Sequence, residues 1–414
     1  MIRIGIVGCG RILAAHLRGY RLLREAGIDD FCITALCARR EADAAMYVAR
    51  GKGPPQRPAV SAIEGDPLAI GDEYLSDFQP DVDVEIFTDY EQMIAEGPID
   101  AVNDYTTHAL HHQVAAASLA AGKHLMTQKP MAVTVAAGRR MCEEADARGL
   151  TFGVFENFRH TPQTRHLRWA FDSGRCGKLQ MILMTYIGCW WAPDLIVAET
   201  PWRHRLVEGG GISLDLGVHF FDQIRTVAGE IETVTARTAV VEPRRQTRDA
   251  LGQVNDEIEC DADDTCFAAA TTAGGATVQL SASWAGHGAA SLLGSGSIYY
   301  GSKAKVDGQQ VTFDGGESAE LSELYQRQAP PERQANEFPR GLSDSFALSQ
   351  LDWLQAVNAG RQPETGGWEG LRDLAAAFAI LESHTAGRTV EVQQVFEGKV
   401  SAYQRPIDEH FGTA

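Results

Sequence analysis

The densest run of chemically capable side chains lies between Glu208 and Asp222, reading Glu-Gly-Gly-Gly-Ile-Ser-Leu-Asp-Leu-Gly-Val-His-Phe-Phe-Asp. Gly209, Gly210 and Gly211 precede a helical pattern. In it Asp215, His219 and Asp222 fall at i, i+4 and i+7 and share one face. A carboxylate one turn from an imidazole can orient it and favour its protonated form. That equips His219 as a general base taking a proton from an alcohol, with Asp215 assisting. The plainer alternative is a polar helix face with a chance Asp–His pair. Gly217, read as helix interior, costs about 1 kcal/mol relative to alanine and points to close approach of another group.

A second candidate is Lys129 in Gln128-Lys129-Pro130. It directly follows a predicted strand, and Pro130 restricts its backbone to extended or turn geometry. A lysine held there can donate to a substrate oxygen and stabilise an alkoxide; the alternative is a surface lysine in a turn. A third is the turn Gly8-Cys9-Gly10-Arg11-Ile12-Leu13, which follows a strand and opens a helix. Glycines there permit a tight turn and close approach of a pyrophosphate to the helix N-terminus. Leu13 stands where a third glycine is usual. The second strand ends Cys37-Ala38-Arg39-Arg40, without the acidic residue that usually receives a ribose 2′-hydroxyl. Two guanidiniums there suit a 2′-phosphate, so NADP is the expected cofactor, with NAD also possible.

His108, His111 and His112 have spacing reminiscent of metal ligands, but no matching carboxylate or thiol set lies nearby in sequence, and no metal is expected. The acidic run Cys260 to Cys266 lacks calcium-loop spacing and reads as a solvated strand entry.

Strand and helix patterns alternate from Met1 to Phe155, which predicts a doubly wound parallel sheet, a Rossmann domain over residues 1–155. Residues 51–85 lose periodicity and read as an insertion or long surface loop. Beyond about residue 160, strands follow one another without intervening helices. They read Leu179–Ile187, 232–241, Thr265–Thr272, 276–284, 297–300 and Gln310–Phe313, then two helices, 343–359 and 368–385. This predicts an open, mostly antiparallel sheet with helices on one face over residues 156–414, its last helices packing back toward the first domain. The overall class is α/β followed by α+β. A length of 414 residues fits two domains. Hydrophobic residues at 44% and charged residues at 22% fit a globular chain. A net charge of −18 disfavours nucleic acid and anionic membrane as partners. No apolar run reaches membrane-spanning length, and no signal-peptide pattern opens the chain. Eight scattered cysteines without a CxxC pair read as reduced thiols of a cytoplasmic protein.

Taken together, these motifs resemble the glucose–fructose oxidoreductase, inositol dehydrogenase and rhizopine-catabolism (Gfo/Idh/MocA) family, over nearly the whole chain. Gly8 and Gly10 match its glycine turn. Residues 106–111 match Thr-Pro-Asn-x-x-His, with Thr107 and His108 replacing Pro and Asn. Ala121 to His124 match Ala-Gly-Lys-His. Residues 128–130 match Glu-Lys-Pro, with Gln128 replacing Glu. Residues 209–222 match Gly-Gly-Gly-x-x-x-Asp-x-Gly-x-His-x-x-Asp in full. The resemblance implies a catalytic pair Lys129 and His219 with Asp215 assisting. It implies cofactor contacts from Gly8, Gly10, Arg11, Ile12, Ala38, Arg39, Arg40, Thr106, Thr107, His108, His111, Gln128 and Lys129. Substrate contacts are expected from Lys129, Asn157, Arg159, Trp191, Trp202, Arg203, Asp215 and His219, with Trp190 beside them; core packing of these tryptophans is the alternative. The implied reaction is hydride transfer between a nicotinamide and a secondary alcohol or ketone of a sugar, sugar derivative or cyclitol. Two alternatives stay open: glycoside cleavage with a recycled cofactor, and a non-catalytic sugar sensor. Relatives pair through the open sheet, implying a homodimer or homotetramer.

Overall fold

The computed structural model describes residues 1–61, 68–188, 193–249, 251–287 and 295–413; Trp190 and Trp191 lie outside them. The chain divides into two compact units. The first comprises residues 1–132, 138–161 and 335–370, the second residues 133–137, 162–334 and 371–414.

The first unit is built on six parallel strands: β1 (Ile2–Val7), β2 (Phe31–Cys37), β3 (Glu85–Phe87), β4 (Ala101–Asp104), β5 (His124–Gln128) and β6 (Phe152–Phe155). Their order is β3-β2-β1-β4-β5-β6, every pair parallel. All seven residues of β2 are buried, as expected for a strand covered on both faces. The connecting helices are α1 (Leu13–Glu25), α2 (Glu41–Ala45), α3 (Tyr90–Glu96), α4 (His108–Ala120) and α5 (Val135–Ala147). The apolar side of α1, with Leu13, Leu17, Tyr20 and Leu23, lies in the core. So do Phe346, Leu351 and Leu354 of helix Ser345–Ala359, and Trp353 Nε1 donates to the Leu125 carbonyl at 3.0 Å.

The predicted long surface loop is in part buried. Its later half carries Tyr74 and Leu75 into the interior, and the Gln79 side-chain amide pairs with both backbone groups of Ile33 (3.0 and 2.7 Å) like a strand neighbour. Polar residues that substitute for a strand leave no alternating pattern to read. Helix α2 is short and stops at Ala45, and α4 begins directly at His108.

The second unit carries α6 (Pro162–Asp172), α7 (Ile212–Asp215), α8 (Gly217–Ala228) and, among the described residues, eleven strands. Strands β7 (Leu179–Ile187), β8 (Ile231–Ala239), β11 (Thr265–Thr272), β12 (Thr277–Ser283), β13 (Ser295–Gly301), β14 (Ala304–Asp307), β15 (Gln310–Phe313), β16 (Ser318–Glu320) and β17 (Val390–Glu391) form one mixed sheet; β9 (Arg244–Arg248) and β10 (Val254–Glu259) form a separate hairpin. The nine-strand order is β16-β15-β14-β13-β7-β12-β11-β8-β17, antiparallel except for the β7–β12 pair. Alternation along β11 buries Cys266, Ala268 and Ala270 and leaves Phe267 exposed. The hairpin escaped sequence reading because both strands are strongly polar, without an alternating apolar face.

Candidate functional site

In the first unit, β1 ends in the glycine turn. Gly8 has φ +101°, and a β-carbon there would sit 2.6 Å from the Tyr105 carbonyl carbon and oxygen. Gly8 is thus required by the unit's own backbone. Gly10 differs: its φ is not in the left-handed region, and a β-carbon on it meets nothing within 4 Å. Beyond it α1 starts at Leu13, with Ile12 at the N-cap making no side-chain cap bond and no acidic residue in the first turn. An uncapped helix N-terminus beside open space at a glycine suits an anion. The turn is held from below by Tyr47, whose hydroxyl donates to the Gly10 carbonyl at 2.9 Å.

At the tip of β2 the structure adds a carboxylate that the sequence reading left out. Arg40 donates to Asp43 through Nε and a terminal nitrogen (3.0 and 2.7 Å), while Arg39 is exposed. The bond from Arg40 holds the Asp43 carboxyl below its usual range. Ala38 is half-buried, its N–H donating to the Phe87 carbonyl at 3.1 Å.

The carboxyl ends of β4 and β5 are joined by buried polar bonds. Asp104 accepts from Thr106 Oγ1 (2.6 Å), the Thr106 N–H (3.0 Å) and Thr127 Oγ1 (3.0 Å). Thr107 caps α4 from an extended conformation, and His108 is buried at its start. The His111 ring lies between the Pro130 carbonyl at Nδ1 (2.9 Å) and the Thr106 carbonyl at Nε2 (3.2 Å). With both nitrogens facing carbonyls, this imidazole is a staple between two loops. Among the described residues no cluster of three or more His, Cys, Asp or Glu can hold a metal.

Lys129 stands between two fixed neighbours. The Pro130 carbonyl is held by His111, and the Gln128 amide reaches His16 Nε2 at 2.9 Å while its oxygen accepts the Lys129 N–H at 3.0 Å. His16 is fully buried, stacked on Tyr105, and burial keeps it neutral by pushing its pKa well down. A neutral imidazole nitrogen accepts from the Gln128 amide, so the glutamine matches its partner. Both Gln128 and His111 therefore use their side chains on the unit itself. Arg159 is bonded to the Glu364 carbonyl (3.0 Å) and Glu369 carboxylate (3.3 Å), and Asn157 donates to Ser345 Oγ (3.2 Å).

In the second unit, the segment before α7 folds back on itself. Gly210 and Gly211 donate to the carbonyls of Arg205 and Arg203 (3.0 and 2.9 Å), and a β-carbon on Gly210 would meet the carbonyl oxygens of Trp202, Arg203 and Arg205, each at 2.7 Å. Arg203 donates through Nε to Asp215 Oδ2 at 2.9 Å, and its guanidinium lies 4.3 Å from the centre of the Trp202 ring. Asp215 thus has an arginine partner that the sequence reading had assigned to substrate. The helix is not continuous: Leu216 separates α7 from α8, so Gly217 is the first residue of α8. Its nearest neighbour is Ala377, which a β-carbon at this position would meet at 3.4 Å, an ordinary contact that does not itself require glycine. His219 follows in the first turn of α8, buried to 7% exposure.

The acidic run at 260–266 is a correction: Asp263 and Asp264 are buried, not solvated. Asp264 pairs with buried Arg245 at 3.1 Å and accepts the N–H groups of Val241 and Glu242. Asp263 accepts from Ser213 Oγ (2.6 Å) and N (3.2 Å), and burial pushes its carboxyl up to about 7. Sequence spacing could not show this, because the arginine and serine that receive the run lie 19 and 50 residues away.

A parallel sheet of this order, with its glycine turn between β1 and an uncapped helix, defines the first unit as a dinucleotide-binding fold. Residues 68–156 match the model of the oxidoreductase family with NAD-binding Rossmann fold, and residues 164–310 match the GFO/IDH/MocA C-terminal domain. The chain belongs to the Gfo/Idh/MocA oxidoreductase family. It is 25% identical over 330 residues to the D-xylose dehydrogenase of Paenarthrobacter nicotinovorans, covering 74% of this chain and 81% of that one. It is 25% identical over 402 residues to the D-apiose dehydrogenase of Paraburkholderia graminis, covering 94% and 89%. The solved structure of levoglucosan dehydrogenase in complex with NADH and L-sorbose shares the fold, with TM-score 0.72, 19% identity and coverage of 94% and 98%.

Proposed function

We propose that this oxidoreductase moves a hydride between a nicotinamide and a secondary alcohol or ketone of a sugar, sugar derivative or cyclitol, with NADP(H) preferred over NAD(H). The observation that carries the reading is the loop after β5, where Lys129 is fixed between Gln128–His16 and Pro130–His111. That is the carboxyl end of the sheet, where doubly wound folds bind ligands. The names of the dehydrogenase relatives support the substrate class. The bound cofactor supplies C4 of its nicotinamide as hydride acceptor or donor. Lys129 donates to the substrate oxygen and stabilises the alkoxide as it forms. His219 takes the hydroxyl proton, while Arg203 and Asp215 form a charge-assisted pair beside it in sequence. Arg39 and Arg40 favour a 2′-phosphate over a 2′-hydroxyl.

The test is absorbance at the reduced-nicotinamide band across a polyol and keto-sugar panel with both cofactors. Lys129→Ala and His219→Ala are each expected to cut turnover by roughly a hundredfold or more while cofactor still binds. Near-normal turnover in both, or product without a stoichiometric net change in the cofactor's oxidation state, rejects the assignment.

The exposed sheet face carrying Met181, Leu183 and Phe267 supports a homo-oligomer. Light scattering at micromolar concentration should return a multiple of 45.0 kDa; a monomer contradicts it. Seven described cysteines are unpaired and six of them buried, which supports a reducing compartment. No helix among the described residues is long and apolar enough to cross a membrane.

A further inference from the structure

The inserted segment is tied to the first unit on its described flanks. The Gln56 amide donates to the carbonyls of Met46 (3.1 Å) and Glu73 (2.7 Å), and the Glu73 carboxylate takes a two-pronged bond from Arg21 of α1, 2.9 Å at each prong. The next residue after Gln56 is Arg57. One of its terminal nitrogens donates to the Cys9 carbonyl inside the glycine turn at 3.0 Å. The other donates to Asp43 Oδ1 at 2.6 Å, the same oxygen that accepts from Arg40 at 2.7 Å. The charges of Arg57, Arg40 and Arg39 all bear on that one carboxylate. Three guanidiniums bear on the one carboxylate that pairs with them beside the turn; Glu41 and Asp89 lie near the same end of β2, outside these ion pairs. These bonds take two of the five N–H groups of Arg57, whose side chain keeps 31% of its surface exposed.

We infer that Arg57 is a specificity-determining residue that binds the 2′-phosphate of NADP(H) together with Arg39 and Arg40. This rests on the NADP(H) preference proposed above. A phosphate monoester carries close to two negative charges and three acceptor oxygens, which suits clustered guanidiniums that keep N–H groups to donate. Asp43 holds Arg40 and Arg57 side by side before any ligand arrives, so little side-chain freedom is lost on binding. The insertion thereby acquires a role: it delivers to the glycine turn a cation that neither β2 nor α2 could supply. A plain strut would need only the bond to Cys9, which any donor could make.

The test titrates the intact chain with 2′,5′-ADP and with 5′-AMP by calorimetry, in wild type, Arg57→Gln and Arg57→Lys. Wild type should prefer 2′,5′-ADP by about tenfold or more. Arg57→Gln should weaken 2′,5′-ADP by about tenfold, the worth of one charge-assisted bond, and leave 5′-AMP within roughly twofold. Arg57→Lys, which keeps the charge, should recover part of the loss. Binding of 5′-AMP certifies that the unit is folded, so a general defect lowers both ligands together. Equal weakening of both ligands, or none, overturns the role of Arg57 while leaving a wild-type preference for 2′,5′-ADP intact. A wild-type chain that binds the two ligands equally overturns the NADP(H) reading itself.

Discussion

Two glycine-rich turns precede two helices in this chain, and only one of them leaves space. In the run Gly209–Gly211, Gly210 is packed against three carbonyl oxygens, while Gly211, at φ +108°, would place a β-carbon 2.2 Å from Asp263 Oδ1. Both are consumed by the protein's own folding. In the turn Gly8–Gly10 the first glycine is consumed in the same way and the second is not. The sequence shows the two motifs as equals. The difference is that a glycine with no steric need inside its own unit is one that an approaching ligand can explain.

The comparison breaks most visibly at Gly8 and Gly211. Gly8→Ala combines a positive φ with a clash against the Tyr105 backbone, which cannot move cheaply. It should cost about 3 kcal/mol or more, and Gly211→Ala, which meets a side-chain oxygen, about 2–3 kcal/mol. Thermal melts read both; a midpoint within roughly 2 °C of wild type for either would remove that glycine from the consumed class.

Gly10→Ala sharpens the comparison from the other side. Stability should change by less than about 0.5 kcal/mol, since nothing is displaced. Cofactor affinity should fall by about tenfold or more, because the methyl group fills the approach to the α1 N-terminus. Fluorescence titration with reduced nicotinamide dinucleotide measures it. Unchanged affinity, or a large loss of stability, would make Gly10 an ordinary turn residue.

Much of this was readable beforehand because it is local. The strand–turn–helix of residues 2–25, the strand Thr265–Thr272 and α5 follow from runs of apolar residues at regular spacing. What was hidden depends on partners distant in the chain. Asp43 changes the meaning of Arg40 only because the start of α2 turns it back, and Arg57, in the aperiodic segment, reaches Cys9 across 48 residues of chain. The Asp215–His219 spacing is visible in the sequence; the bond to Asp215 from Arg203, twelve residues earlier, is not. Periodicity carries no information about which polar side chain will arrive at a given carboxylate.

A pH-dependent effect is expected at Asp263, the residue against which Gly211 is packed. Its carboxyl is fully buried, accepts two bonds from Ser213 through Oδ2, and has at Oδ1 a buried oxygen without a partner among the described residues. Burial raises its pKa from 3.8 to about 7 in the folded chain. A group raised in this way binds its proton more tightly when folded. Its contribution is complete below about pH 3.8 and is lost as pH climbs through about 7. Asp263→Asn keeps an acceptor for Ser213, places an amide where the proton sat and cannot ionise. Wild type and variant should therefore differ least near pH 4, and the variant should gain on wild type as pH rises. The relative gain is on the order of 2 kcal/mol between pH 5 and pH 7, read from denaturant or thermal unfolding at each pH. Parallel pH profiles for the two proteins would show that Asp263 stays ionised in the folded chain. The packing of Gly211 would then be against a carboxylate rather than a carboxylic acid.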